Sequence, residues 1–384
     1  MRNTFQRAGE RLKEIDKRLR ESPPHMFHPG WLLSRGMGAD LPDGTLLEQR
    51  RNEVVDLIVR ASSCSATDVR QWYPRAVARW AALTQDATRF ARGVVCTAGR
   101  LRVGSSADNA LETGIALHHT YGMPYLPGSV LKGCALAWAR ASGLETAYVD
   151  ALFGREPDHE DVPIGEAGCV VFHDGWWIPT SASPKPALVR EVVTSHHFDY
   201  YSGRSQEPTD CDDPIPVAQL AAAGAFYLVI EGERAWAEAA LRVLRAALAT
   251  LGLGARGAAG YGLFVTDESA RDCKAAHTSL NELVGRYQRA RSVAARATMT
   301  PHQRAEAYLR DLSPETLVRK LARDRAALQQ KFGLTGAELR EVALKVIHPD
   351  RLQDWKTVSR QKDKLIYKAY RFLTQSGEED ALDD

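Results

Sequence analysis

Long apolar runs, paired cysteines and net charge are all missing from this 384-residue chain. No stretch approaches the ~20 consecutive apolar residues needed to cross a bilayer. The N-terminus is charged rather than a basic cap on an apolar segment, so neither membrane insertion nor export is expected. The six cysteines, Cys64, Cys96, Cys134, Cys169, Cys211 and Cys273, lie far apart with no Cys-x-x-Cys pair. That argues against a zinc site and against a disulfide framework, and it fits a reducing cytoplasm. Fifty Lys/Arg against 48 Asp/Glu leave a formal charge of only +2. Bulk charge therefore does not announce a nucleic-acid partner, and any basic surface has to come from segregation.

Segregation is present. Residues 1–20 hold seven Lys/Arg and three Asp/Glu, residues 301–375 hold sixteen and nine, and Gly377 to Asp384 contains five acids. Each run also reads as the solvated face of a helix. At ~100 to 200 residues per domain the length predicts two or three units, and a hydrophobic content of 44% is enough to fill real cores.

Two glycine-bearing motifs stand out. From Leu251 to Gly262 the chain reads Leu-Gly-Leu-Gly-Ala-Arg-Gly-Ala-Ala-Gly-Tyr-Gly. The glycines Gly252, Gly254, Gly257, Gly260 and Gly262 permit positive φ and close backbone approach, so N–H groups could turn toward a phosphate beside the fixed charge of Arg256. A nucleotide P-loop is excluded, because that motif runs strand, loop, helix and closes with Lys-Ser/Thr, whereas here a helix comes first and a strand follows. A glycine-rich turn packing a helix onto a sheet would share this composition. Upstream, Pro127-Gly128-Ser129 precedes a helical run carrying Lys132 and Gly133. It predicts a turn and an N-cap at a helix start, whose free N–H groups and positive dipole end also suit an anion.

The periodicity predicts helices over residues 7–19, 46–59 and 68–87, hence a helical extension over 1–93. A strand over 93–104, a helix over 129–141, a short strand over 168–174, a strand over 223–231, a helix over 234–251 and a strand over 260–267 follow. The order is β-α-β-β-α-β, the split βαβ or ferredoxin-like (RRM-like) arrangement of an α+β domain spanning 94–267. Residues 176–220 interrupt it with prolines, aspartates and aromatics, too long for a simple hairpin connection. Residues 268–384 are expected to form a C-terminal helical region.

Taken together, Pro127 to Gly133 and the late glycine loop resemble the RAMP superfamily of CRISPR effector subunits. Leu111 to His119, His197 to Gly203, Pro208 to Asp210 and Pro214 to Val217 narrow the resemblance to the sixth-subunit family of the type III-B (Cmr) complexes. It covers roughly residues 94–266. The resemblance implies a ferredoxin-like RAMP domain and a β-hairpin thumb at about 176–220. It further implies a guide (CRISPR) RNA backbone held at Ser129, Lys132, Arg256 and the glycines of the loop. Target RNA and other Cmr subunits are the implied partners, in an antiviral ribonucleoprotein that needs no cofactor or metal. On the thumb, Phe198, Tyr200 and Tyr201 are candidates for stacking on bases, because an aromatic ring accepts any base, although ordinary hairpin packing would use the same residues.

Catalysis is the alternative. Backbone-forming RAMP relatives cut target RNA with an aspartate in the loop before the Pro-Gly-Ser turn, and Asp108 lies in the corresponding stretch, where sixth subunits often carry proline. His118 and His119, like His196 and His197, supply general acid and base groups, and metal-free RNA cleavage needs only one of each. On strands each pair would point to opposite faces, and neither has metal-ligand spacing. A second resemblance lies at about 332–376, where two helical runs around His348-Pro349-Asp350 look like a J domain. It implies a heat-shock chaperone partner, with a plain helical docking module as the other reading.

Overall fold

The computed structural model describes residues 17, 21, 27–35, 44–64, 72–105, 111, 113–155, 157, 165–180, 185–212 and 214–374. Asp108 and the predicted helix over 7–19, apart from Lys17, lie outside the described residues. The chain forms two compact units, Met1–Gln288 and Arg289–Asp384, of mixed α+β and all-helical composition respectively.

The first unit is built on an antiparallel sheet. Its strands stand in the order Phe264–Val265, Phe90–Thr97, Ala225–Glu231, Gly175–Ile178 and Tyr125–Leu126, with Val171–Phe172 also pairing Ala225–Glu231. Ala225–Glu231 is central and buried along nearly its whole length, as a strand covered on both faces must be. Alternation places Phe226, Leu228 and Ile230 on one face, where helix Arg234–Thr250 packs, together with their partners Val95, Gly93 and Ala91. Tyr227 and Val94 point the other way, toward helix Trp72–Leu83 and the first half of helix Arg271–Thr298. Two buried polar contacts fix that second layer: the Tyr73 hydroxyl donates to the Trp177 carbonyl at 2.7 Å, and the Thr84 and Tyr227 hydroxyls meet at 2.8 Å.

Several boundaries differ from the sequence expectation for identifiable reasons. The first strand begins at Phe90 and ends at Thr97 rather than running to Gly104, because the following residues leave the sheet edge to bond elsewhere. The second strand is split at His173 and Asp174 and resumes as Gly175–Ile178, so the interruption begins after Ile178 rather than at Trp176. The last strand shrinks to Phe264–Val265, since Gly257–Ala259 forms a 3₁₀ turn. Within the interruption, Leu188–Ser195 and Ile215–Ala222 pair over eight residues as a two-stranded antiparallel ribbon.

Helix Gly128–Ala141 starts one residue earlier than predicted, and its cap is Pro127, which offers no side-chain acceptor. Ser129 is therefore not the N-cap but an exposed residue of the first turn. The capping bond comes from across the fold instead, where the Gly128 amide donates to Asp174 Oδ1 at 2.7 Å.

The second unit contains helices Pro301–Arg310, Pro314–Arg323, Arg325–Phe332, Gly336–Val346, Pro349–Lys356 and Lys364–Thr374 around Leu309, Leu321, Leu339 and Phe372. Its helix starts are written plainly in the sequence: Thr300, Ser313 and Thr335 cap by side chain, and Pro301, Pro314 and Pro349 stand at first helical positions. The J-domain expectation is corrected here. His348-Pro349-Asp350 is not a loop between two helices but the start of an extra helix, with the His348 ring accepting from the Asp350 amide at 3.4 Å. The His348 and Asp350 side chains are both exposed, but with an added helix where the resemblance implies a loop, the chaperone reading is not carried further.

Gly128 sets a stability test, because a Cβ there would overlap the Phe172 carbonyl, while Gly133 on the same helix has open space around it. Gly128→Ala is expected to destabilise the protein by about 2 kcal/mol, and Gly133→Ala to stabilise it by up to about 1 kcal/mol. Urea denaturation of the two variants checks both signs.

Candidate nucleic-acid interface

Residues 98–103 are the seam of the site. After the first strand they run between the glycine loop and the base of the ribbon, bonded to both. Toward the loop, Ala98 N donates to Leu263 O, Gly262 N to Arg100 O and Ala255 N to Arg102 O, each at 2.8 Å. Toward the ribbon, Leu101 and Ala222 exchange backbone bonds at 2.9 and 2.8 Å. Side chains repeat the link. Arg100 Nε donates to Glu191 Oε1 at 2.7 Å, the Tyr261 hydroxyl reaches Glu191 Oε2 at 3.3 Å, and buried Arg102 donates from Nη2 to Gln219 Oε1 at 2.6 Å.

The five loop glycines divide by what surrounds them. At Gly252, Gly254 and Gly262 the backbone has positive φ, and a Cβ would strike Gly262 O, Arg102 O and Leu253 O. These three serve close packing, as the plainer reading of the composition has it. Gly257 and Gly260 face open space. Most amides are also engaged: those of Gly252, Leu253, Ala255, Ala259, Gly260, Tyr261 and Gly262 all donate to carbonyls of the protein. An amide cradle made from Gly252, Gly260 and Gly262 is thus not available, and charge at this loop comes from side chains.

Arg256 is the exposed side chain at the turn, held at φ 65° in the left-handed region where non-glycine residues are uncommon. Arg102 lies near enough to feel it. Burial first, and the Arg256 charge second, push the Arg102 guanidinium below its ordinary pKa. Two guanidinium groups in mutual repulsion, one without a partner for its buried Nε, are relieved by an anion. Arg100 and Arg102 were not singled out from the sequence. The available signal was a basic residue at alternate positions near the end of the predicted strand over 93–104.

The two motifs meet. Helix Gly128–Ala141 packs on helix Arg234–Thr250, and the Cys134 thiol donates to Gly252 O at 3.2 Å. Burial raises that thiol to about 11, so it stays a donor at neutral pH. Lys132 is half-buried on the same helix, two residues before Cys134. The helix start itself already holds an anion, since Asp174 occupies the Gly128 amide.

At the far end of the ribbon, Phe198–Tyr201 forms a short helical turn. Phe198, Tyr200 and Tyr201 are all exposed, Tyr201 at 79%. The turn is closed by His197, whose Nδ1 lies 2.9 Å from Asp212 Oδ2, and the His197 ring beside it holds the Asp212 carboxyl below its usual range. Arg204 stacks over the Phe198 ring at 5.0 Å.

The two histidines of the pair stand in different surroundings. His118 and His119 stand in a turn rather than on a strand. His118 is packed among Tyr121, Tyr125 and Trp176, with Nδ1 accepting from Thr120 N at 3.2 Å, whereas His119 is exposed. Thr113 and Ala116 are anchored beside the ribbon base, where Ala116 N donates to Val103 O at 2.6 Å and Leu220 N to Thr113 Oγ1 at 2.9 Å. Among the described residues no three His, Cys, Asp or Glu side chains group as metal ligands, and no helix is long and apolar enough to cross a membrane.

Residues 97–265 match the RAMP superfamily. Both motifs and the whole seam fall inside that span. The CRISPR system Cmr subunit Cmr6 of Pyrococcus furiosus is 29% identical, over 44% of this chain and 66% of the relative, so the chain spans just under two thirds of that protein. Among solved structures, a chain of the Type III-B Cmr-beta complex bound to cognate target RNA is similar at 23% identity and a TM-score of 0.42, covering 59% of this chain and 75% of the other. The crystal structure of Cmr6 from Pyrococcus furiosus is similar at 26% identity and a TM-score of 0.29, covering 46% and 97%.

The His118 environment makes a pH prediction. Burial lowers its pKa, so its contribution to stability is complete above the unfolded value of about 6.5 and is lost as pH falls from there through the folded value. The melting temperature should fall between about pH 7.5 and 5.5, and fall less in His118→Phe, as followed by circular dichroism.

Proposed function

We propose that this chain is a noncatalytic, RNA-binding backbone subunit of a type III-B (Cmr) CRISPR effector ribonucleoprotein. The observation that carries the proposal is Arg256, exposed and held at positive φ beside Arg102, in a loop whose Gly257 and Gly260 leave room for another backbone. The RAMP match over residues 97–265 supplies the class of ligand. The same reading takes the sheet as ferredoxin-like, with the last, first, third and second strands side by side. It takes the ribbon Leu188–Ser195 and Ile215–Ala222 as the thumb, with Phe198, Tyr200 and Tyr201 at its tip for stacking on the guide–target duplex.

Lys132 and Arg256 hold guide phosphates, which fixes the register of the RNA without reading its bases. Discrimination is left to pairing between guide and target. The other surfaces join neighbouring Cmr subunits, so affinity for RNA is low in the isolated chain and high within the assembly, where tethered contacts raise the effective concentration. Binding is favoured over cleavage by the histidines: a general base and acid have to converge on one phosphate, and His118 is enclosed by rings while His119 is not.

Purification of the tagged chain from its host is the test. Expected are other Cmr subunits and a guide RNA of uniform length, with added target RNA left intact by the chain alone. Arg256→Ala with Lys132→Ala should reduce retained guide RNA at least tenfold while the fold persists. Target cleavage that disappears in Asp108→Ala or in a His118/His119 double variant would replace the proposal with a nuclease.

A further inference from the structure

The second unit lies outside the RAMP match, and its charge is not evenly used. Between Arg351 and Thr374 the chain holds seven Lys/Arg and two Asp, Asp354 and Asp363. Asp363 is committed to its own helix, its Oδ1 accepting from the Leu365 and Ile366 amides at 2.9 and 3.0 Å. Elsewhere in the unit bases are paired along their own helices, as Arg310 is with Glu306, Lys320 with Asp324 and Lys345 with Glu341. Within the 351–374 segment the pattern stops. No carboxylate among the described residues lies within ion-pair distance of Arg351, Lys356, Arg360, Lys362, Lys364 or Lys368.

These six side chains belong to one helical hairpin, helices Pro349–Lys356 and Lys364–Thr374 with the turn between them. Five are exposed and Lys368 is half-buried. Lys364 and Lys368 are one helical turn apart and share a side, Lys364 exposed and Lys368 half-buried at the border of the packed face. Arg360 and Lys362 extend the row into the turn. Packing does not require this concentration of unpaired cations, and their mutual repulsion opposes it.

We infer that the 351–368 hairpin is a second RNA site, which binds the phosphodiester backbone without regard to base sequence. The chemistry favours RNA over an acidic protein surface. A stable protein interface needs an apolar or aromatic centre, and no large hydrophobic side chain is exposed between Pro349 and Thr374, the exposed ones of this unit being Val293 and Leu344. A polyphosphate chain needs only spaced cations and releases counterions when they engage. The inference stands apart from the RAMP reading, since it uses none of that domain's residues.

The test is fluorescence anisotropy of the full-length chain with a labelled uridine oligomer of about 30 nucleotides, across about 50 to 200 mM KCl. The variant carries Lys362→Ala, Lys364→Ala and Lys368→Ala, with its melting temperature checked against the parent. Its log–log salt slope should be shallower by about 2, at about 0.7 per lost single-strand contact, and its affinity at about 100 mM lower by tenfold or more. Arg256→Ala with Lys132→Ala should leave that salt-dependent component in place even if the loop reading fails. An unchanged slope and affinity in the folded triple variant overturns the inference. So does intact RNA binding accompanied by loss of a copurifying protein, which would make the hairpin a protein-docking surface.

Discussion

Backbone hydrogen bonding along residues 98–103 is the constraint on which the rest of the site depends. A single extended stretch cannot satisfy two neighbours unless both come within backbone contact of it, and here the neighbours are the glycine loop and the ribbon. The loop reaches that distance because Gly254 sits against the Arg102 carbonyl and Gly262 against Leu253, where no Cβ would fit. Once the seam is closed, Arg100 and Arg102 are fixed on Glu191 and Gln219 at the ribbon base. The orientation of the ribbon, and with it the place of the aromatic tip, then follows from the loop. Arg256 is the residue left over from this arrangement, exposed where the chain reverses at positive φ.

This changes what the glycines mean. As composition, five glycines near an arginine suggest N–H groups offered to a phosphate. As structure, three of them make a joint, and the outward-facing part is reduced to an arginine and two open positions. The same shift occurs at the helix start, where Asp174 takes the amide that a phosphate would have used. In both places most of the backbone donors are satisfied internally, as buried amides nearly always are. What remains for an anion is side-chain charge, which is cheaper to keep at a surface and less specific about what it holds.

Elements with a strong helical period were legible from the chain. Arg234–Thr250 matched its expected span within a residue, because its Leu and Ala positions leave one continuous buried stripe. The helix starts of the second unit were legible through Thr, Ser and Pro. The ribbon was not read from its residues, since consecutive residues at its base are buried together, Leu220 and Ala221 among them, while its outer part is exposed, Val192 at 53%, so no single face imposes alternation along it. Ser129 failed because a capping residue was identified by type, whereas the fold chose Pro127 with Asp174; the His348 segment was read through a resemblance, and the fold places an additional helix there. Which amide finds which acceptor across 46 residues of sequence, as Gly128 finds Asp174, is a tertiary outcome that no local pattern records.

Charge follows the same division of scale. The net value of +2 says nothing about binding, because it averages over surfaces that are separately basic and acidic. In the first unit the arginines that matter are few and geometrically held, Arg102 by burial and Arg256 by backbone conformation. In the second the basic residues are many and mostly exposed, more of them lysine than arginine in the last hairpin. A held guanidinium fixes the position of a phosphate, and a row of lysines adds attraction that any phosphate satisfies and salt removes. A chain with both kinds separates register from affinity. Under the proposed function, the glycine loop sets where the RNA lies, while the hairpin raises how long it stays without constraining its sequence.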